Sequence, residues 1–76
     1  MTGAIILDAQ GLKCPLPVLR ARKAIREVPA GGLLQVLATD PAAPQDFRAF
    51  CQESGHVFVD LVEAGGVCTI TIRRKG

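Results

Sequence analysis

One cysteine, Cys14, stands where a short apolar segment of the chain gives way to a basic, amphipathic one. The surrounding run is Gly11-Leu12-Lys13-Cys14-Pro15-Leu16-Pro17, in which Gly11 permits a turn and Pro15 suits the first position of a helix. The pattern therefore predicts that Cys14 caps the N-terminus of a helix. The free N–H groups and partial positive charge at a helix start, together with the neighbouring Lys13, are expected to lower the pKa of the thiol.

The residues around Cys14 narrow the chemistry that this thiol could perform. Pro15 and Pro17 have no N–H group, so Leu16 is expected to be the backbone donor nearest the sulfur. Pro17 also occupies the position where a dithiol oxidoreductase has its second cysteine. The only histidine, His56, lies far along the chain, and no nucleophile–base pattern of a hydrolase accompanies it. A solitary activated thiol is better suited to carrying a group than to hydrolysing a bond.

The elements that position Cys14 follow the order βαβαββ. Apolar runs predict strands at 4–7, 33–38, 57–62 and 67–72, and helical spacing predicts helices at 15–28 and from about 44 to Gly55. Two helical crossovers and a final hairpin predict an α/β fold of the α+β two-layer type, with a mixed four-stranded sheet and both helices on one face. In this arrangement Asp40 and Cys14 lie at the same end of the sheet. Asp40 either lies beside the thiol and raises its pKa, or is held by Arg22 or another cation and shapes the docking surface, or is a turn residue before Pro41.

The composition is that of one small domain spanning 1–76, in which 49% of the residues are hydrophobic and only 4% are aromatic. We expect an aliphatic core that needs no metal, cofactor or disulfide, with Cys51 and Cys68 packed inside it and His56 at the surface. The three cysteines are an odd number, which argues against a secreted disulfide framework. No export signal is visible, because the chain starts Met1-Thr2-Gly3 without a basic segment and the apolar stretch that follows is too short. No segment approaches the length of a membrane span, so the protein is expected in a reducing cytoplasm. It is also expected to be a monomer when free.

The basic residues are concentrated near the thiol. Five of the nine lie in the first predicted helix and its entry, namely Lys13, Arg20, Arg22, Lys23 and Arg26. The net charge of +2 is too small to indicate nucleic-acid binding, and no aromatic residues are interleaved for base stacking. Cations near the start of a helix do not stabilise it, so the cluster is interpreted as a docking surface for acidic partner proteins. The alternative is a solvated helix face.

The chain resembles the TusA/SirA-like family of sulfur carriers over nearly its whole length. The residues that carry the resemblance are Leu7-Asp8, Gly11-Leu12, the Cys-Pro-x-Pro signature from Cys14 to Val18, Arg22-Lys23, Ala38-Thr39-Asp40-Pro41, Asp46-Phe47, Phe50-Cys51, Gly55-His56 and Ile70-Thr71-Ile72-Arg73-Arg74. The resemblance implies the fold described above and a sulfurtransferase role in which Cys14 holds sulfane sulfur as a persulfide. It also implies a donor such as a cysteine desulfurase or a rhodanese-like protein, and an acceptor protein in tRNA thiolation, cofactor assembly or sulfur oxidation. Whether the carrier acts as an enzyme in its own right stays open.

Two other functions are compatible with the same residues. A regulatory or RNA-binding module would use the basic helix face without any chemistry at Cys14. A thiol redox protein would pair Cys14 with Cys51 or Cys68, which requires those side chains to leave the core. Replacement of Cys14 by serine separates the first of these from the sulfur carrier.

Overall fold

Four strands form one mixed sheet, and two helices pack against it. The computed structural model describes residues 4–76; residues 1–3, on which the expectation of a missing export signal partly rests, lie outside this range. The strands are β1 (Ile5–Ala9), β2 (Leu33–Ala38), β3 (Val57–Ala64) and β4 (Val67–Arg73), and the helices are α1 (Leu16–Ala24) and α2 (Ala43–Ser54). The predicted βαβαββ order is confirmed. Among residues 4–76, no helix is long and apolar enough to cross a membrane.

The strand order in the sheet is β1-β2-β4-β3. β1 and β2 are parallel because α1 returns the chain to the same end of the sheet before β2 begins. β4 runs antiparallel to both β2 and β3. The β3–β4 connection is a two-glycine turn in which Gly65 and Gly66 have φ of +59° and +80°, a conformation that suits a tight hairpin.

One face of the sheet is buried beneath the helices. Leu34, Val36 and Ala38 alternate with less buried residues along β2 and lie opposite Ile72, Ile70 and Cys68 of β4. The helices contribute further side chains to this core, chiefly Ala21, Ile25, Phe47 and Phe50. The alternation of Cys68, Ile70 and Ile72 with more polar residues in the sequence predicts one buried face for β4, and the structure confirms it. This face holds the sheet and the helices together through aliphatic packing around Phe47.

A bulge in β3 adapts that strand to the core. Phe58 pairs with Ile72 and Leu61 pairs with Ile70, and the register shifts between Phe58 and Asp60. The extra residue, Val59, lets Phe58 and Leu61 pack against the core although they are three positions apart. Simple alternation would have placed these two side chains on opposite faces.

Several predicted element boundaries are wrong. The first helix does not continue to residue 28: α1 ends at Ala24, a 3₁₀ turn covers Ile25–Glu27, and Val28 is extended with φ −86° and ψ 131°. Pro29 explains this ending, because its ring disfavours a helical conformation in the preceding residue. β1 is shifted to Ile5–Ala9, where Ala9 pairs with Ala38 at the end of β2.

Candidate functional site

The loop that carries Cys14 is fixed to the loop that follows β2. The Gly11 N–H donates to the Thr39 hydroxyl at 2.9 Å, and the Cys14 N–H donates to Asp40 Oδ2 at 2.5 Å. Both loops leave the carboxyl ends of parallel neighbouring strands, so the topology brings them together. The prediction that Cys14 and Asp40 lie at the same end of the sheet is confirmed.

Asp40 organises the backbone on both sides of this contact. Its other carboxylate oxygen, Oδ1, accepts a hydrogen bond from the Ala42 N–H at 3.0 Å, closing a turn within the loop. Hydrogen bonds from the Ala42 and Cys14 amides, and then the charge of Lys13, hold the pKa of the Asp40 carboxyl below its usual value. The turn interpretation of Asp40 is thus confirmed, and Lys13 acts on Asp40. A docking role for Asp40 stays a prediction.

The prediction that Cys14 caps the helix is wrong. The residue before the first turn of α1 is Pro15, and no side chain caps this helix. The Leu16 N–H, which was expected to face the sulfur, donates to the Lys13 carbonyl at 2.8 Å. Asp40 explains the difference, because it binds the Cys14 amide and holds this residue in the turn ahead of the helix.

The Cys14 side chain lies in a shallow cavity between the two helices, which we call the thiol cavity. It has a volume of about 190 Å³ and is lined by Cys14, Pro15, Val18, Arg22, Asp46, Ala49, Phe50 and Glu53. Cys14 itself is exposed, whereas the other two cysteines are buried. A partner molecule can therefore reach the sulfur without any opening of the core.

The electrostatic setting of the thiol also differs from the prediction. A hydrogen bond to the Asp46 carboxylate, partial desolvation and the negative charges of Asp46 and Asp40 raise the pKa of the Cys14 thiol above its ordinary value. Carboxylates beside a thiol favour its protonated form because a thiolate would be a second negative charge in the same place. The expected lowering of this pKa is therefore wrong, and the resting side chain is a thiol.

Replacement of Asp46 by asparagine is expected to lower the pKa of Cys14, because the change removes one negative charge and a strong hydrogen-bond acceptor. A larger fraction of Cys14 is then a thiolate at pH 7, so alkylation by iodoacetamide should be faster in Asp46→Asn than in the wild type. The rate of alkylation measured against pH, with free cysteine in the same buffers, tests this. In the wild-type protein the half-maximal rate should occur at a higher pH than for free cysteine.

Glu53→Gln is the matched control for this experiment. Glu53 also lines the thiol cavity, but its charge does not contribute to the raised pKa of Cys14. This variant should keep the wild-type profile of rate against pH. A profile in Asp46→Asn that coincides with that of the wild type would rule out Asp46 as the group that raises the pKa of Cys14.

The residues predicted to support the thiol or to dock partners differ in their surroundings. Arg22 lines the thiol cavity, and its guanidinium carbon lies 5.1 Å from the centre of the Phe50 ring, a cation–π contact. Arg20 and Lys23 are exposed on α1, outside the thiol cavity. Pro17 is buried in the core, whereas Leu16 keeps 45% of its surface exposed beside the thiol loop.

One argument for the docking surface needs correction. Because α1 ends at Ala24, Arg22 and Lys23 lie in its last turn, where cations interact favourably with the negative end of the helix. These two charges therefore stabilise the helix and have a structural explanation. Their role in docking stays a prediction.

Cys51 and Cys68 are packed in the core, as expected, with 4% and 7% of their surfaces exposed. Burial raises the pKa of the Cys51 thiol, and burial together with the charge of Glu63 raises that of Cys68. A disulfide from either one to Cys14 would require local unfolding. Within residues 4–76, no group of three or more His, Cys, Asp or Glu side chains is arranged to hold a metal ion.

Asp46 is the site residue that sequence reasoning missed. In the sequence Asp46 is noted only as part of the Asp46-Phe47 pair that carries the family resemblance, and the structure places it in the first turn of α2. The order of the elements could have predicted its position, because Asp40 and the start of α2 both follow the carboxyl end of β2. Because β1 and β2 are parallel, Asp46 is brought to the same end of the sheet as Cys14, as Asp40 is.

The chain is similar to known proteins of one family. Residues 5–74 match the model of the family described as sulfurtransferase TusA. The sulfur carrier protein TusA of Allochromatium vinosum is 43% identical over 69 residues, which cover 91% of each chain. The sulfur carrier protein TusA of Pseudomonas aeruginosa is 44% identical over 70 residues, covering 92% of this chain and 89% of that one.

A solved structure gives the same result for the fold. The crystal structure of the SirA-like protein from Desulfitobacterium hafniense superposes with a TM-score of 0.82 at 32% identity, covering 95% of this chain and 99% of the other. The family match spans both the thiol loop and the helix that carries Asp46. The chain therefore belongs to the sulfurtransferase TusA family.

Proposed function

We propose that this protein is a sulfur carrier that accepts sulfane sulfur on Cys14 as a persulfide and transfers it to a cysteine of an acceptor protein. The observation that carries this proposal is the exposure of Cys14 in an open cavity, while Cys51 and Cys68 are buried. Membership of a family whose relatives are named sulfur carriers supports the same role. The proposed carrier unit is the single domain formed by residues 1–76.

The loading step needs only the thiol and a donor persulfide. As the donor approaches, the Cys14 thiol gives up its proton to the carboxylate of Asp46, which lines the same cavity. The thiolate attacks the terminal sulfur of the donor persulfide, the sulfur–sulfur bond of the donor breaks, and the donor cysteine leaves as a thiolate. Cys14 then carries the terminal sulfur, and no external oxidant or reductant is consumed.

The unloading step is the same exchange in the opposite sense. A thiolate of the acceptor protein attacks the terminal sulfur of the Cys14 persulfide, and Cys14 leaves as a thiolate. Asp46 then returns the proton to Cys14. The raised pKa of Cys14 means that the empty carrier rests as a thiol, which reacts slowly with other electrophiles.

The donor and acceptor are proposed to be proteins, because the thiol cavity is shallow and open. A cysteine desulfurase or a rhodanese-like protein is the proposed donor. Arg20, Arg22, Lys23, Arg26 and Asp40 are the proposed docking residues, with the basic side chains facing an acidic surface of the partner. A free, exposed thiol persists in a reducing compartment, so we place the relay in the cytoplasm.

The test is direct transfer of sulfur to the purified protein. Incubation with a cysteine desulfurase and cysteine, or with a rhodanese and thiosulfate, is expected to add one sulfur atom per chain. Intact mass spectrometry measures the addition, and peptide mapping after alkylation should locate it at Cys14. Sulfur found on Cys51 or Cys68, or no addition from either donor, would contradict the proposal.

A further inference from the structure

A second cavity, distinct from the thiol cavity, lies between α1, the end of α2 and the C-terminal segment. Its volume is about 470 Å³. We call it the basic cavity, because its charged and polar lining residues are Arg22, Arg26, Ser54, His56, Arg74 and Lys75. The apolar part of its wall is formed by Ile25 and Phe50. Arg22 and Arg74 also have structural roles, but the transfer chemistry at Cys14 does not require this convergence of groups.

The charges around the basic cavity are strongly unbalanced. Four side chains of its lining are cationic, and no acidic side chain lines it. Cations gathered around one concave surface repel one another and raise the local concentration of anions. A bound anion of charge −2 would offset two of these four positive charges.

The side chains are also held in place with hydrogen-bond donors to spare. Arg74 Nη1 donates to the Val28 carbonyl at 2.5 Å and to the Arg26 carbonyl at 3.4 Å, which fixes the guanidinium in the wall and leaves its other N–H groups free of those bonds. The Arg22 guanidinium is held against the Phe50 ring at 5.1 Å. Planar guanidinium groups fixed in this way match the oxygen atoms of a tetrahedral oxyanion.

His56 adds a neutral donor to the same wall. Its Nδ1 accepts a hydrogen bond from the Lys75 N–H at 3.1 Å, so the proton of the neutral ring is on Nε2. Burial and then the charges of Lys75 and Arg74 lower the pKa of His56, which keeps the ring neutral at pH 7. The cavity thus combines fixed cations with an uncharged N–H donor.

From this convergence of cationic and neutral donors, we propose that the basic cavity is a binding site for a tetrahedral dianionic oxyanion of the phosphate, sulfate or thiosulfate type. The site is separate from sulfur transfer at Cys14, although Arg22 and Phe50 line both cavities. Phosphate would indicate a phosphoryl group as the natural ligand. Thiosulfate would indicate a sulfur-containing anion.

The experiment is a ¹⁵N–¹H NMR titration of the full chain with sodium phosphate, sodium sulfate and sodium thiosulfate, each against sodium chloride at the same ionic strength. Saturable shifts are expected at the amides of His56, Arg74 and Lys75 with at least one dianion and not with chloride. The anion that binds most tightly of the three identifies the type of oxyanion that the basic cavity prefers. Shifts that are linear, or the same as with chloride, would overturn the proposal.

Variants then test which charges are responsible. Lys75→Gln is expected to weaken anion binding about threefold, and Lys75→Gln with Arg74→Gln about tenfold. Arg73→Gln is the matched control, because it removes the same charge next to Arg74 but outside the basic cavity, and it should bind like the wild type. Arg74 also donates to the Val28 carbonyl, so the double variant could lose stability. If it is unfolded, the affinity of Lys75→Gln for the anion is the test of the site. Wild-type affinity in a folded Lys75→Gln would overturn the proposal.

The Cys14→Ser variant separates this site from the proposed function. It should bind the dianion with unchanged affinity, because Cys14 does not line the basic cavity. Anion binding that is lost together with the thiol would contradict two independent sites.

Discussion

Replacement of Cys14 by serine is expected to abolish sulfur loading completely. The hydroxyl of serine has nearly the size of the thiol, so the loop and its hydrogen bond from the residue 14 amide to Asp40 should persist. A hydroxyl does not ionise near neutral pH and does not replace a thiolate in exchange at sulfur. Intact mass spectrometry after incubation with a cysteine desulfurase and cysteine should show the unmodified chain.

The matched controls are the two buried cysteines. Cys51→Ala and Cys68→Ala should each load one sulfur atom per chain, because neither side chain is accessible in the folded protein. A serine variant at Cys14 that still gains sulfur would contradict the assignment of the persulfide. A serine variant that gains none but keeps full activity in the cell would favour a regulatory or RNA-binding module.

Reversal of two exposed charges on α1, Arg20→Glu together with Lys23→Glu, is expected to slow sulfur transfer from the donor protein and to the acceptor protein about tenfold or more. Complementary charges mainly increase the rate at which proteins meet, and an acidic partner surface would now be repelled. Alkylation of Cys14 by iodoacetamide should stay near its wild-type rate, because neither residue lines the thiol cavity. The rate of sulfur transfer is measured in a single turnover with the purified partner protein. The rate of alkylation is measured separately with iodoacetamide.

Three controls accompany this variant. Arg48→Glu with Arg73→Glu changes the net charge by the same amount on α2 and β4, and it should leave transfer much less affected. Added salt should slow the wild type toward the variant, since exposed charges are screened over about 10 Å at 0.1 M ionic strength. Urea denaturation checks that the loss of a favourable cation in the last turn of α1 has not unfolded the chain.

Transfer that is insensitive to both salt and charge reversal would contradict docking through the basic residues. The apolar side chains near the thiol loop would then be the better candidates for the docking surface. Leu16 and Leu19 keep 45% and 51% of their surfaces exposed, and Leu12 is partly buried beside them.

Local patterns in the sequence were sufficient for most of the fold. Alternation in β2 and β4 predicts a buried face, and the helical spacing of Phe47, Phe50 and Cys51 predicts which side of α2 packs against it. These inferences succeed because burial of apolar side chains is periodic along regular elements. The bulge at Val59 escaped the same reasoning, because an inserted residue breaks the alternation without changing the composition of the strand.

The accessibility of Cys14 and its proximity to Asp40 could also be predicted from the sequence. The isolated run around Cys14 breaks the apolar pattern, whereas Cys51 and Cys68 follow it. Parallel strands place their carboxyl ends together, which is enough to bring the loop of Asp40 to the loop of Cys14.

The pKa of the Cys14 thiol depends on groups that come together only in the folded chain. Local reasoning treated Cys14 as the cap of its own helix and predicted a lowered pKa. In the folded chain its amide binds Asp40, 26 residues away, and its thiol faces Asp46 at the start of α2. A helix start and a carboxylate have opposite effects on the pKa of a thiol. The carboxylates of Asp46 and Asp40 raise the pKa of Cys14, whereas α1 begins only after Pro15. Which of these groups comes closest depends on the packing of two helices against one sheet, and no local pattern of residues encodes that distance.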